Sequence, residues 1–91
     1  MEEIRQHIIF TGRVQGVGFR YRAKYAAAKY ALTGWGRNDW DGSVEMEVQG
    51  ISGDIDRMIR DIAAGSYIAI EGLERNPLPL QPEEKKFRVL G

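Results

Sequence analysis

The 91-residue chain contains no cysteine, one histidine and no net charge, with 13 lysines and arginines balancing 13 aspartates and glutamates. Without cysteine there is no disulfide, no thiolate metal site and no cysteine nucleophile, and the redox compartment is left open. Without net charge no global field draws the chain to nucleic acid or an anionic membrane, so any preference for an anion has to be local. Long apolar runs are missing too, and the N-terminus, Met1-Glu2-Glu3-Ile4-Arg5, is charged. Neither a signal peptide nor a membrane span is expected, and the default compartment is cytoplasmic. Repeats, low-complexity tracts and linkers are absent, and no appended domain is expected. All three prolines fall in Asn76-Pro77-Leu78-Pro79-Leu80-Gln81-Pro82, which reads as a loop between two late strands.

What remains is an ordinary globular composition, 43% hydrophobic and 29% charged, for one small domain with one modest core. A chain this short buries only roughly 60–65% of the surface its unfolded form exposes.

Periodicity orders the elements. Ile4 to Thr11 is β-like, with Ile8, Ile9 and Phe10 in a short apolar run. Phe19 to Leu32 reads as a helix, because Phe19, Ala23, Ala26, Ala27 and Tyr30 recur on one side. Gly34–Trp40 and Ser43–Gly50 form a hairpin around Asp41-Gly42. In its second arm Val44, Met46 and Val48 alternate with Glu45, Glu47 and Gln49, predicting one buried face and one solvated face. A second helix runs from about Ser52, its expected N-cap, to Ala64, with Ile55, Met58, Ile59 and Ile62 as the apolar stripe and Gly65 as the residue that ends it. Strands follow from Tyr67 and from Lys86. The order β-α-β-β-α-β predicts an α+β, ferredoxin-like sandwich: an antiparallel sheet with two helices on one face. That fold hosts many unrelated functions and proves none.

Chemistry concentrates in Gly12-Arg13-Val14-Gln15-Gly16-Val17-Gly18-Phe19-Arg20. Glycine lets a loop turn successive N–H groups inward, a helix start adds unsatisfied N–H groups, and an arginine fork grips two oxygens. Together they suit a small oxyanion such as phosphate. The same glycines also suit a tight strand-to-helix connection with no ligand. The P-loop signature G-x-x-x-x-G-K-[ST] is absent, and Tyr21 stands where G-x-G-x-x-G needs its third glycine. A second cluster, Gly34-Trp35-Gly36-Arg37-Asn38, brings an asparagine onto the strand after the helix. It could hold a water in one orientation, or serve only the hairpin turn.

Taken together, these two stretches and Asp41-Gly42-Ser43-Val44-Glu45 resemble the acylphosphatase family, densely from Phe10 to Gly50 and loosely after. The resemblance implies one acylphosphatase-like domain over residues 1–91. It also implies hydrolysis of the carboxyl–phosphate bond of acyl phosphates, with no cofactor or metal. It assigns phosphate binding to Arg20 and positioning of the attacking water to Asn38; from the loop chemistry, the amides of Gln15, Gly16, Val17, Gly18 and Phe19 are expected to join Arg20 on the phosphate oxygens. Three departures stand out: Ala31 where glycine is frequent, Gly36 where a β-branched residue is usual, and Ser66 where proline is common. If position 31 is left-handed, alanine there costs roughly 1 kcal/mol.

The expected partner is a small-molecule acyl phosphate; nucleic acid and membrane are not expected, and the expected state is a monomer. The alternative is a non-catalytic anion-binding module on the same fold, or the corresponding domain of a larger carbamoyl-transfer protein. RNA binding would need stacking aromatics and a basic sheet face, whereas strand three offers Glu45 and Glu47. His7 reads as a half-exposed strand residue. Arg13, Arg22, Arg37, Glu45 and Glu47 read as solvated side chains. Trp35 is expected to pack in the core or on a sheet face near the site, and Trp40 to lie beside the turn.

Overall fold

The computed structural model describes residues 2–91. Its elements are β1 (Glu3–Arg13), α1 (Phe19–Lys29), β2 (Thr33–Asn38), β3 (Val44–Ile51), α2 (Ser52–Ala63), β4 (Ala69–Leu78) and β5 (Phe87–Leu90). The five strands form one sheet in the order β4-β1-β3-β2-β5. The fold is the ferredoxin-like α+β arrangement expected, with β1 between β3 and β4 and antiparallel to both.

One edge corrects the wholly antiparallel expectation, because β5 runs parallel to β2, from Gly34↔Phe87 to Arg37↔Leu90. The reason is where β4 ends. Leu78 lies opposite Arg5, at the entry end of β1. Residues 79–86 therefore cross the sheet at that end, and the chain can only re-enter in the direction of β2.

Strand pleating sorts the side chains. Ile8, Phe10, Val44, Met46 and Val48, all fully or almost fully buried, face the helices. Against them pack Phe19, Ala23, Ala26 and Ala27 of α1 and Ile55, Met58 and Ile62 of α2. Alanine on the buried side of α1 lets that helix sit close to the sheet. Phe10 and Phe19 meet edge-on with ring centroids 4.8 Å apart, joining β1 to the first turn of α1. Burying each ring contributes about 2–3 kcal/mol.

The second face of the sheet is not the solvated surface expected. Arg5 is 3% exposed. It donates to Glu47 Oε1 at 2.9 Å, to Glu84 Oε1 at 2.7 Å and to Gln49 Oε1 at 3.3 Å. Gln49 in turn exchanges hydrogen bonds with the backbone of Gln81. The crossing segment thus lies over this face and closes on Arg5. Burial opposes the Arg5 charge, but Glu84 and Glu47 outweigh it, so its pKa is raised. Glu45 and Glu47 are half-buried ion-pair partners rather than solvated residues: Glu45 binds His7 Nε2 at 2.7 Å and Arg37 Nη2 at 2.8 Å.

Several boundaries move for local reasons. The first helix stops at Lys29, and Ala31 takes φ 56°, the left-handed backbone on which the alanine penalty depends. The Ser52 side chain makes no capping bond; Ile51 occupies the cap position. Gly65 is not left-handed but close-packed, since a Cβ there would lie 2.8 Å from both Arg22 Nε and Ile68 Cδ1. Asn76, Pro77 and Leu78 extend β4 instead of forming a loop. Proline is tolerated because β4 is an edge strand.

Candidate active site

The segment between β1 and α1 carries Gly16 at φ 71° and Gly18 at φ 82°. A Cβ at either position would meet nothing within 4 Å. Glycine is therefore required here for backbone conformation, not for space. Gly18 is the N-cap of α1, and no side chain caps the helix. Its first intrahelical bond is Arg22 N to Gly18 O at 3.0 Å, so the amides of Phe19, Arg20 and Tyr21 have no partner within the helix. The first turn also has no acidic residue, leaving its partial positive charge unopposed.

These elements surround a cavity of about 190 Å³ lined by Val14, Gly16, Gly18, Phe19, Arg20, Tyr21 and Asn38. Arg20 reaches it from α1. Its Nη1 donates to Leu90 O at 3.0 Å, so the end of β5 steadies the guanidinium. Among the described residues no carboxylate pairs with Arg20. Asn38 reaches the same cavity from the last position of β2. It is exposed, and no protein hydrogen bond occupies its carboxamide among the described residues.

Of the expected phosphate-loop residues, Gly16, Gly18, Phe19 and Arg20 line the cavity; Gln15 and Val17 do not. Gln15 has a different task. Its Nε2 donates to Asp39 O and Ser43 O, both at 2.7 Å. One side chain therefore ties the loop to the hairpin that carries Asn38. Asp41 supports that hairpin by accepting from Ser43 N at 3.0 Å and Ser43 Oγ at 2.6 Å. These bonds hold the Asp41 carboxyl below its usual range.

Sequence reasoning missed Val14 and Tyr21 as lining residues. Tyr21 is adjacent to Arg20 on a helix start, which is signal enough to include it. His7 lies across the sheet, paired with Glu45. Trp35 stacks under Arg37 on that same face, 5.4 Å from guanidinium carbon to ring centroid, and Trp40 is 98% exposed at the turn; neither lines the cavity. Among the described residues there is no cluster of three His, Cys, Asp or Glu side chains that could hold a metal ion. Among the described residues no helix is long and apolar enough to cross a membrane.

The sequence from residue 6 to residue 89 matches the family described as Acylphosphatase. The chain belongs to the acylphosphatase family. It is 44% identical over 87 residues to an acylphosphatase of Geobacillus kaustophilus, covering 94% of this chain and 93% of that protein. The crystal structure of acylphosphatase from Bacillus subtilis superposes with a TM-score of 0.87 at 28% identity, over 97% of this chain and 99% of that one. Full-length HypF, solved in a phosphate- and nucleotide-bound form, contains a similar unit: TM-score 0.87 and 32% identity over 99% of this chain but 12% of that chain. The acylphosphatase fold is thus seen both as a small separate chain and as part of a larger one.

Proposed function

We propose that this acylphosphatase-family chain hydrolyses acyl phosphates to a carboxylate and inorganic phosphate at the cavity between α1 and β2. The observation that carries the reading is that Arg20, Asn38 and the left-handed glycines Gly16 and Gly18 line one small hollow.

The substrate suits so sparse a site. Its leaving group is a carboxylate, whose conjugate acid has a pKa of roughly 4, so it departs without a protonated catalytic acid. Phosphoryl transfer through a loose transition state needs alignment and charge stabilisation above all. Loop and helix-start amides of Gly16, Gly18 and Phe19, with Arg20, hold the equatorial oxygens. Asn38 orients a water in line with the scissile bond. A P–O bond forms to that water as the P–O bond to the acyl oxygen breaks. The carboxylate leaves with the electron pair, and the water's hydrogens remain with the phosphate.

The test is steady-state hydrolysis of acetyl and benzoyl phosphate in the presence of a chelator, by the unsubstituted chain and by Arg20→Ala. Turnover that falls on the order of 10³-fold in Arg20→Ala supports the reading. Near-normal turnover by that variant overturns the site. Phosphate binding without any turnover by the unsubstituted chain would make it an anion-binding module.

A further inference from the structure

Beside the phosphate-sized cavity lies a larger hollow. A groove of about 530 Å³ runs between α1 and α2, lined by Gly18, Tyr21, Arg22, Tyr25, Ala26, Lys29, Asp61 and Ala64. Gly18 and Tyr21 line both hollows, so the two adjoin. Sites for small organic ligands are typically about 300–1,000 Å³. The 190 Å³ cavity falls below that range and the groove within it.

We infer that the groove is the acyl subsite: the carboxylic half of the substrate lies along α1 over Tyr21 and Tyr25, favouring flat apolar acyl groups such as aryl groups. The inference rests on the hydrolase reading above, and three observations place the acyl group there. First, in-line displacement puts the water and the leaving group on opposite sides of phosphorus. Asn38, on β2, lines the cavity but not the groove, whereas Tyr21, on α1, lines both, so a leaving group on the side away from Asn38 meets the groove.

Second, Tyr21 and Tyr25 are each 66% exposed, four residues apart on one helix face. Their rings lie 5.2 Å apart and tilted by 60°. They form an aromatic wall that the fold itself does not cover.

Third, the groove's polar groups already have partners around Asp61: its carboxylate pairs with Lys29, and its main-chain carbonyl accepts from Arg22. Lys29 Nζ lies 3.6 Å from Asp61 Oδ2, Tyr30 donates to Asp61 Oδ2 at 2.8 Å, and Arg22 Nη1 donates to Asp61 O at 3.2 Å. The surface that remains is aromatic and aliphatic, with Ala26 and Ala64 adding only methyl groups.

Tyr25 lines the groove but not the phosphate cavity, so its substitution tests the subsite alone. The experiment measures kcat/KM for benzoyl and acetyl phosphate in the unsubstituted chain, Tyr25→Ala, Tyr25→Phe and Tyr67→Ala. Tyr67 is 73% exposed and outside the groove lining. In Tyr25→Ala the benzoyl-to-acetyl ratio should fall by about 3- to 10-fold, the scale of one lost aromatic contact. Tyr25→Phe should keep the ratio, and Tyr67→Ala should leave it unchanged. A ratio unmoved by Tyr25→Ala overturns the acyl subsite while the hydrolase stands. Failure of the unsubstituted chain to turn over either substrate overturns the hydrolase reading, and the subsite with it.

Discussion

At the scale of single residues, charge and conformation make separable predictions. Arg20 has no carboxylate partner among the described residues and Asn38 has no protein hydrogen bond there, so both are available to a ligand. Asn38→Ala should lower kcat on the order of 10²-fold through lost orientation, while inorganic phosphate still inhibits. Loss of phosphate inhibition with kcat unchanged would reverse its role. His7→Gln should leave turnover within a few-fold, because His7 is committed to Glu45 on the opposite face; a loss of roughly 10²-fold would mark it as a base. Ala31 holds φ 56°, a conformation an L side chain resists and glycine does not. Ala31→Gly should therefore raise stability by about 0.5–1 kcal/mol, net of the extra freedom glycine has when unfolded. Urea unfolding measures it, and a destabilised variant would refute it.

At the scale of elements, one glutamine joins two pieces that are distant in sequence. The loop before α1 supplies donors, and the β2–β3 hairpin supplies Asn38. Gln15 Nε2 bridges them through Asp39 O and Ser43 O. Gln15→Ala should cost about 1–2 kcal/mol for two lost hydrogen bonds and also reduce kcat/KM, since the loop loses its anchor to Asn38. Gln15→Glu separates the effects: it keeps the length of the side chain but replaces the donor with an acceptor facing two carbonyls. If both variants unfold like the unsubstituted chain in urea, the bridge carries no stability. The loop's glycine-dependent turn into α1 was legible in Gly16-Val17-Gly18-Phe19-Arg20. The task of Gln15 was not, because its partners are main-chain carbonyls whose position depends on the register of β2 against β3.

The whole molecule is closed by the segment that crosses from β4 to β5. It lays Glu84 and Gln81 over Arg5 and Gln49, and it sets β5 beside β2 with Leu90 O against Arg20. Arg5→Met should destabilise by about 3 kcal/mol, because it leaves Glu47 and Glu84 without their shared cation. A loss of stability below about 1 kcal/mol would mean that water replaces the arginine freely. The same face sets an acid limit. His7 and, against some desolvation, Arg37 hold the Glu45 carboxyl below its usual value. A carboxyl whose folded pKa is depressed contributes stability that is complete above its unfolded value, about 4.3, and is lost as pH falls through the lower folded value. Unfolding free energy should thus decline below about pH 4.5, and less steeply in Glu45→Gln. Identical slopes in the two proteins would refute the assignment.

Read alone, the amino-acid order determined what is local. The alternation of Val44, Met46 and Val48 set a strand with one buried face, the alanines of α1 set a close-packed helix, and the run from Gly12 to Arg20 set a glycine-turned loop leading into a helix. Each depends on residues within a few positions of one another, so periodicity and motif carry them. Tertiary structure alone decided what rests on contacts between distant positions: β5 parallel to β2, Arg5 buried between Glu47 and Glu84, Gln15 tied to Ser43, and Arg20 facing the hollow that Asn38 enters. Those pairings follow from which strands become neighbours and in what register, and that is settled by packing the whole core at once.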